Sequence, residues 1–107
     1  MRVTVRDLIS QGMVQPPADL VAKYRGQNVR AKVLSDGRIK FGGEHYRSPS
    51  LAGGAARVSV AGPWPNGKLP PTNGWTFWQV RLPDGQVVSL AELRDRLPGG
   101  GAAEAAG

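Results

Sequence analysis

Cysteine is absent from the 107-residue sequence, and histidine occurs once, at His45. Without cysteine the chain forms no disulfide and offers no thiol nucleophile, which fits a reducing, cytoplasmic location. A single histidine supports neither a multi-histidine metal site nor a Ser-His-Asp triad with a separate orienting group. We therefore expect no metal and no cofactor.

Carboxylates are also scarce, and capping and turn positions take up most of them. Asp7 and Glu92 follow hydroxyl residues at capping-box spacing, while Asp36 and Asp84 precede glycines in turns. The others show neither the paired spacing of general acid–base catalysis nor the clustering that metal-dependent nucleases need. No glycine-rich phosphate loop follows a predicted strand. The sequence therefore predicts a protein that is not an enzyme.

Long apolar segments are missing as well. No run of about 18 apolar residues occurs, so neither a transmembrane helix nor a membrane partner is expected. Charged residues near the start are too closely spaced for a signal-peptide core. The length predicts one folded domain over residues 1–97, followed by a disordered Gly- and Ala-rich tail over 98–107.

Positive charge is abundant. Fourteen Lys and Arg residues face eight Asp and Glu residues, which gives a formal net charge of +6 and a pI near 10.5. This balance favours a polyanionic partner, with nucleic acid ahead of an anionic membrane surface. A soluble basic protein without such a partner is the simpler interpretation of composition alone.

Three short helices are predicted from capping residues and helical spacing, over about residues 5–12, 49–58 and 90–97. Gly53 and Gly54 lie inside the second and cost about 1 kcal/mol each relative to Ala. They indicate either close packing against a strand or a shorter helix. The capping residues are Thr4 with Asp7, Ser48 before Pro49, and Ser89 with Glu92.

The hydrophobic pattern selects the register of a first hairpin, formed by residues 28–34 and 38–41. A two-residue loop would place Lys40 beside Val33, whereas a three-residue loop with a left-handed Gly37 pairs Leu34 with Arg38. The second register separates apolar from charged residues. It puts Ala31, Val33, Ile39 and Phe41 on one face, and Arg30, Lys32, Arg38 and Lys40 on the other.

A second hairpin is predicted from a strand over residues 75–82 and a returning strand at Val87 and Val88. Aromatic residues alternate to both sides of the first of these strands, which indicates burial on both faces. Residues 20–24 fit a short strand and a single helical turn equally well. The Pro- and Gly-rich segment 61–72 is predicted to be a long loop. The class is α+β: two hairpins in an antiparallel sheet, packed against two or three short helices.

The basic hairpin face is the main candidate for binding. Like charges opposite each other across strands are destabilising, and a bound polyanion would offset that cost. A solvated face with flexible side chains is the alternative. Positive residues that could extend the track are Arg25, Arg47, Arg57 and Lys68.

Two further features have both a structural and a binding interpretation. The Ser48-Pro49-Ser50 helix start is either a plain cap or a phosphate site, and the neighbouring Arg47 favours the phosphate. Trp75 suits core packing or base stacking. Trp64 in the Pro-rich loop would either enter a groove or fold back on the domain.

Four segments occur in a characteristic order and spacing: the opening helix, the first hairpin and two short motifs. The motifs are Tyr46-Arg47-Ser48-Pro49-Ser50 and Asn73-Gly74-Trp75-Thr76-Phe77-Trp78. Together, over roughly residues 4–94, these segments resemble the RAMA family, the domain associated with restriction enzymes and adenine methylases, and the two motifs are the most specific part of the resemblance. The long loop and the Gly53-Gly54 pair depart from the family pattern.

The resemblance implies a DNA-associated module that helps to engage or sense modified DNA. We therefore expect a non-enzymatic, cytoplasmic and nucleoid-associated protein that binds double-stranded DNA, with a methyltransferase, nuclease or other defence protein as a further partner. The alternatives are a protein-interaction adaptor of a restriction, defence or chromatin-associated complex, and stacking on single strands. Expected phosphate contacts are Arg30, Lys32, Arg38, Lys40, Arg47, Ser48 and Ser50, and expected base-readout residues are Trp64, Asn73 and Trp75.

Overall fold

A computed structural model describes residues 3–97 of the chain. Its strands are β1 (Ala18–Tyr24), β2 (Gln27–Val33), β3 (Ile39–Phe41), β4 (Glu44–Tyr46), β5 (Gln79–Arg81) and β6 (Val87–Ser89). Its α-helices are α1 (Val5–Ser10), α2 (Pro49–Ala61), α3 (Gly74–Phe77) and α4 (Leu90–Arg96), with a 3-10 turn at Pro65–Gly67. The strands form one antiparallel sheet in the order β4-β3-β2-β1-β5-β6, so the predicted α+β class is confirmed.

The segment whose structure the sequence left open is the central strand of this sheet. β1 pairs with β2 along its whole length and with β5 on its other side. Ala18, Leu20 and Ala22 alternate into the core, while Asp19 and Lys23 point to the opposite, exposed face. The core therefore lies between one face of the sheet and the helices.

The register of the first hairpin is the one that the hydrophobic pattern selected. Val33 lies opposite Ile39, the Leu34 amide donates to the Arg38 carbonyl at 2.8 Å, and Gly37 has φ +88°. Val33 and Ile39 are fully buried. The second hairpin has the same three-residue geometry, with a 2.8 Å bond from the Leu82 amide to the Gln86 carbonyl.

The prediction of a strand over residues 75–82 is wrong for its first part. Gly74–Phe77 forms a single helical turn, α3, and only Gln79–Arg81 is a strand. The Asn73 side chain caps this turn by accepting from the Trp75 amide at 3.1 Å. Capping and the contact of Gly74 with α2 thus override the β-propensity of the aromatic residues. Trp78 ends the turn and is completely buried.

The helix starts agree with the capping residues, although two helix ends differ from prediction. α1 has the reciprocal capping box of Thr4 and Asp7 and stops at Ser10 rather than at 12. α2 runs past Val58 to Ala61. Ser89 caps α4 by accepting from the Glu92 amide at 3.0 Å.

The two glycines inside α2 allow close packing, but against a loop and α3 rather than against a strand. Gly53 faces Thr72 and Phe77, and Gly54 faces Leu69 and Pro70. The later part of the predicted long loop therefore lies along α2. None of the helices within residues 3–97 is long and apolar enough to cross a membrane. The predicted disordered tail lies outside the described residues.

Candidate nucleic-acid interface

The two sequence motifs fold into one joint between α2 and α3. The Gly74 amide donates to the Ser50 hydroxyl at 3.0 Å, and the Trp78 indole N–H donates to the Pro49 carbonyl at 3.1 Å. Gly74 is buried so closely against the Pro49–Ser50 backbone that a Cβ atom would overlap it. We call these contacts the motif joint; they fix Trp75 beside the start of α2.

Next to the motif joint, the start of α2, the β2–β3 turn, α4 and the segment leading into α1 line a half-open cleft of about 650 Å³. Four arginines line it, and Asp36 is the one carboxylate among the described residues of its wall. We call it the arginine cleft. Its polar and aromatic lining residues are Thr4, Arg6, Asp36, Arg38, Arg47, Ser48, Ser50, Trp75 and Arg94.

The arginines of this cleft differ in their contacts. The Arg38 Nε lies 3.1 Å from Asp36, and the Arg94 guanidinium lies over the Trp75 ring, 5.1 Å from its centre. Arg6 packs on Gly37 in the β2–β3 turn. Within residues 3–97, neither Arg6 nor Arg47 forms a salt bridge with the described carboxylates. These two guanidinium groups therefore have hydrogen-bonding capacity for a ligand.

The serines of the cleft each accept a backbone hydrogen bond. Ser48 caps α2 by accepting from the Leu51 amide at 3.2 Å, and Ser50 accepts from Gly74. A hydroxyl that accepts keeps its own proton to donate. The cap interpretation is thus confirmed for Ser48, and phosphate contacts from Ser48 and Ser50 stay predictions.

A second basic surface lies on the exposed side of the sheet. Lys32 and Lys40 are cross-strand neighbours, and they line an open depression of about 640 Å³ together with Arg30 and Arg81. Asp19 is near, 3.6 Å from the Lys32 ammonium. We call Arg30, Lys32, Lys40 and Arg81 the basic sheet face.

The structure therefore divides the predicted phosphate contacts between two surfaces. Arg30, Lys32 and Lys40 belong to the basic sheet face, whereas Arg47, Ser48 and Ser50 belong to the arginine cleft. Arg38, two residues before Lys40 in the chain, also lines the arginine cleft.

Sequence reasoning missed three arginines of these surfaces. Arg81 reaches the basic sheet face only because β5, besides pairing with β6, also pairs with the distant strand β1. Arg6 and Arg94 meet at the arginine cleft from helices almost ninety residues apart in the chain. No local pattern signals such placements.

The predicted readout residues do not form a single site. Trp75 lines the arginine cleft, and Asn73 caps α3 beside it. Trp64 lies at a different cavity, where the Arg57 guanidinium sits 6.0 Å from its ring centre and 5.4 Å from that of Tyr24. Trp64 is 41% exposed, so it folds partly back on the domain.

Arg57 holds together the aromatic cluster of Trp64 and Tyr24. It donates from one terminal nitrogen to the Pro71 carbonyl at 2.9 Å and to the Thr72 hydroxyl at 3.0 Å. Hydrogen bonding from Arg57 also lowers the pKa of Tyr24, while desolvation opposes the shift and the charge of Arg25 adds to it. Pro71 and Thr72 are therefore tied to α2.

Among residues 3–97, no group of three His, Asp or Glu side chains could hold a metal ion. The described part of the chain thus presents two arginine- and lysine-rich surfaces and one aromatic cluster.

Comparison with known proteins agrees with the motif geometry. No curated protein matches the chain. The model of the family described as Restriction Enzyme Adenine Methylase Associated matches residues 1–99, which is nearly the whole sequence and includes both halves of the motif joint. The family takes its name from its association with restriction enzymes and adenine methylases, and the chain belongs to this RAMA family.

Proposed function

We propose that this RAMA domain binds double-stranded DNA through its basic sheet face and catalyses no reaction on it. One observation carries the proposal. Lys32 and Lys40 stand opposite each other on neighbouring strands, with Arg30 and Arg81 beside them and a single ion-paired carboxylate, Asp19, nearby. Like charges so placed repel each other, and DNA phosphates would offset that repulsion.

The other predicted residues extend this contact around the β2–β3 turn. Arg38, Arg47, Ser48 and Ser50 would meet phosphates further along the backbone, which supplies affinity without sequence information. Trp75 with Asn73, and separately Trp64, would supply any readout of a base or its modification. The association of the family with adenine methylases makes methylated adenine the first modification to test.

The test is fluorescence anisotropy of a labelled duplex titrated with the wild type and with a Lys32→Ala/Lys40→Ala double variant. Each lost phosphate contact lowers the slope of log affinity against log salt by about 0.9. Raising salt from about 50 to about 200 mM should therefore weaken the double variant roughly tenfold less than the wild type. The basic sheet face would be excluded by two equal slopes.

A matched control removes the same charge elsewhere. Lys68 lies on an exposed loop, and Arg96 forms an exposed pair with Glu92 at 3.6 Å, so the Lys68→Ala/Arg96→Ala variant should fold normally. We expect its salt slope to stay at the wild-type value. A slope that falls as far as in the first variant would show that only net charge matters. Comparing unmodified with adenine-methylated duplexes in the same titrations tests modification sensing.

The second candidate function is that of a protein-interaction adaptor within a restriction or defence complex. The Trp64, Tyr24 and Arg57 cluster favours it, because Trp64 is exposed beside the partly buried Tyr24 and Arg57. Trp, Tyr and Arg are the side chains that most often dominate the energetics of protein interfaces. A methyltransferase or nuclease subunit held there would bind with weak salt dependence, since apolar contacts are not screened. Substituting Trp64→Ala should then abolish that association and leave duplex binding unchanged.

A further inference from the structure

We infer that the arginine cleft is a site for one nucleoside monophosphate, with the phosphate among Arg6, Arg38 and Arg47 and the base against Trp75. The ligand would be either a free mononucleotide or a single nucleotide that leaves the stack of a bound duplex. The second source rests on the proposed function, whereas binding of a free mononucleotide does not.

The cleft carries an excess of positive charge. Four arginines and one aspartate line the cleft, and that aspartate is committed to its own turn. Asp36 accepts from the Arg38 backbone amide at 3.0 Å and lies 3.1 Å from the Arg38 Nε. It therefore leaves Arg6 and Arg47 to act on an incoming anion. Planar guanidinium groups that converge on one space suit a phosphate, which accepts two parallel hydrogen bonds from each.

The size and shape of the cleft select the ligand. About 650 Å³ lies within the range of roughly 300–1,000 Å³ that is typical of small-molecule sites. This space is too small for a duplex and larger than a bare phosphate needs. Val3, Val5 and Pro49 supply apolar wall beside the arginines. The cleft thus offers both a charged and an apolar region, as a nucleotide requires.

Trp75 gives the apolar region an aromatic surface. Its indole is partly buried, lies under the Arg94 guanidinium and lines the cleft. The motif joint holds this residue through its neighbours, since Gly74 bonds to Ser50 and Trp78 bonds to Pro49. Stacking of a base on an aromatic ring adds to the affinity for a nucleotide. A preset indole beside arginines therefore favours a nucleotide over inorganic phosphate or a free nucleoside.

The test is calorimetric titration of the full chain with deoxyadenosine monophosphate, deoxyadenosine and inorganic phosphate at low salt. We expect the monophosphate to bind at least about tenfold more tightly than either part, because it makes both the charged and the stacking contacts. Equal binding of monophosphate and inorganic phosphate would overturn the assignment of the base to Trp75. No binding of any of the three would overturn the site.

Single substitutions distinguish the contributions of individual cleft residues to ligand affinity. Arg47→Ala, on an exposed position, should weaken the monophosphate at least about tenfold, and Trp75→Leu should weaken it while leaving inorganic phosphate unchanged. Lys68→Ala removes one charge from an exposed position that does not line the cleft and should change the affinity less than about twofold. An equal loss in Arg47→Ala and Lys68→Ala would reduce the effect to net charge and overturn the inference. If Trp75→Leu does not fold, Arg6→Ala on α1 should weaken the monophosphate as Arg47→Ala does, and an unchanged affinity would overturn the phosphate position.

Duplexes distinguish the two sources of the nucleotide. A duplex with one bulged adenine should bind more tightly than a fully paired duplex, and Arg47→Ala should remove that preference. Arg30→Ala should instead weaken both duplexes alike through the basic sheet face. A cleft that binds the free monophosphate but gives no preference for the bulge supports the free nucleotide as ligand. If Arg30→Ala leaves the affinity for both duplexes unchanged while the cleft still binds the monophosphate, the proposed function is contradicted and the cleft site is not.

Discussion

Replacing Gly74 with alanine should disrupt the motif joint more than any other single methyl group added to this chain. The new Cβ atom would overlap the carbonyl group of Pro49 and the amide nitrogen of Ser50. All three are backbone atoms of the first turn of α2, so no side-chain rotation relieves the overlap. Relieving the overlap requires either that α3 moves away from α2 or that the first turn of α2 shifts.

The expected cost follows from the contacts that separation would break. Overpacking costs about 1–3 kcal/mol. The 3.0 Å bond from the Gly74 amide to Ser50 contributes about 0.5–1.5 kcal/mol. The Trp78 indole N–H is buried and bonds to Pro49 at 3.1 Å, and leaving it unpaired costs about 1–3 kcal/mol. These effects overlap, so we expect Gly74→Ala to lower the free energy of unfolding by about 2–4 kcal/mol.

Urea denaturation followed by tryptophan fluorescence measures this loss. Gly53→Ala is the matched control, because its Cβ would meet side-chain atoms, Thr72 Cγ2 at 3.0 Å and Phe77 Cδ2 at 3.3 Å. Those atoms can shift, and alanine gains about 1 kcal/mol of helix propensity, so the control should stay within about 1 kcal/mol of the wild type. A wild-type denaturation midpoint for Gly74→Ala, or an equal loss in both variants, would refute the role of the motif joint.

Three further outcomes are expected. Ser48→Ala removes the helix cap and should lower the free energy of unfolding by about 1 kcal/mol. Ser48→Asp should keep the cap, and it should weaken duplex binding only if this position contacts a phosphate. Denaturation measures the role as a cap, and anisotropy with a labelled duplex measures the role as a phosphate contact. Gly37→Ala should cost at least about 1–2 kcal/mol in thermal unfolding, because φ is +88° and the Cβ atom would overlap the Arg6 side chain. Arg57→Ala should raise the pKa of Tyr24 in a phenolate absorbance titration with the other tyrosine replaced by phenylalanine. Because the pKa of Tyr24 is lower in the folded than in the unfolded protein, its ionisation contributes stability above the unfolded pKa near 10, and this contribution is lost as pH falls through the folded pKa. If the Arg57→Ala variant gives the same Tyr24 titration as the wild type, Arg57 is not the cause of the lowered pKa.

Local rules predicted the parts of the fold that depend on neighbouring residues. The alternation around Gly37 identified the register that buries Val33 and Ile39, since a slip by one residue would turn every side chain over. Thr4 and Ser48 marked helix starts because their side chains accept from amides three residues ahead.

Elements whose structure depends on partners distant in the sequence were harder to predict. β1 looked ambiguous because residues 20–24 fit a strand and a helical turn equally well, and because its identity comes from the strands on both sides, β2 and β5. Residues 75–77 carry aromatics that favour a strand, yet the Asn73 cap and the contact between Gly74 and α2 make them helical.

The candidate site shows the same limit. The basic hairpin face was predicted from alternating charge, and the Ser48 start was recognised from its cap. The arginine cleft was not, because Arg6, Arg38 and Arg94 come together only through the packing of α1 and α4 beside the first hairpin. Resemblance to the family pointed to the motif residues, while their contacts explain why Ser50 and Gly74 occur as a pair.

The outermost strands of the sheet have a consequence for behaviour at high concentration. β4 and β6 are three residues each, and each leads directly into a capped helix start. Edge strands this short expose too few unpaired backbone groups to pair with a strand from another molecule. Pairing of that kind is how many sheet proteins begin to aggregate. Glu44 and His45 add polar side chains to one margin. The basic sheet face can therefore stay open for a ligand while the two edge strands discourage self-association.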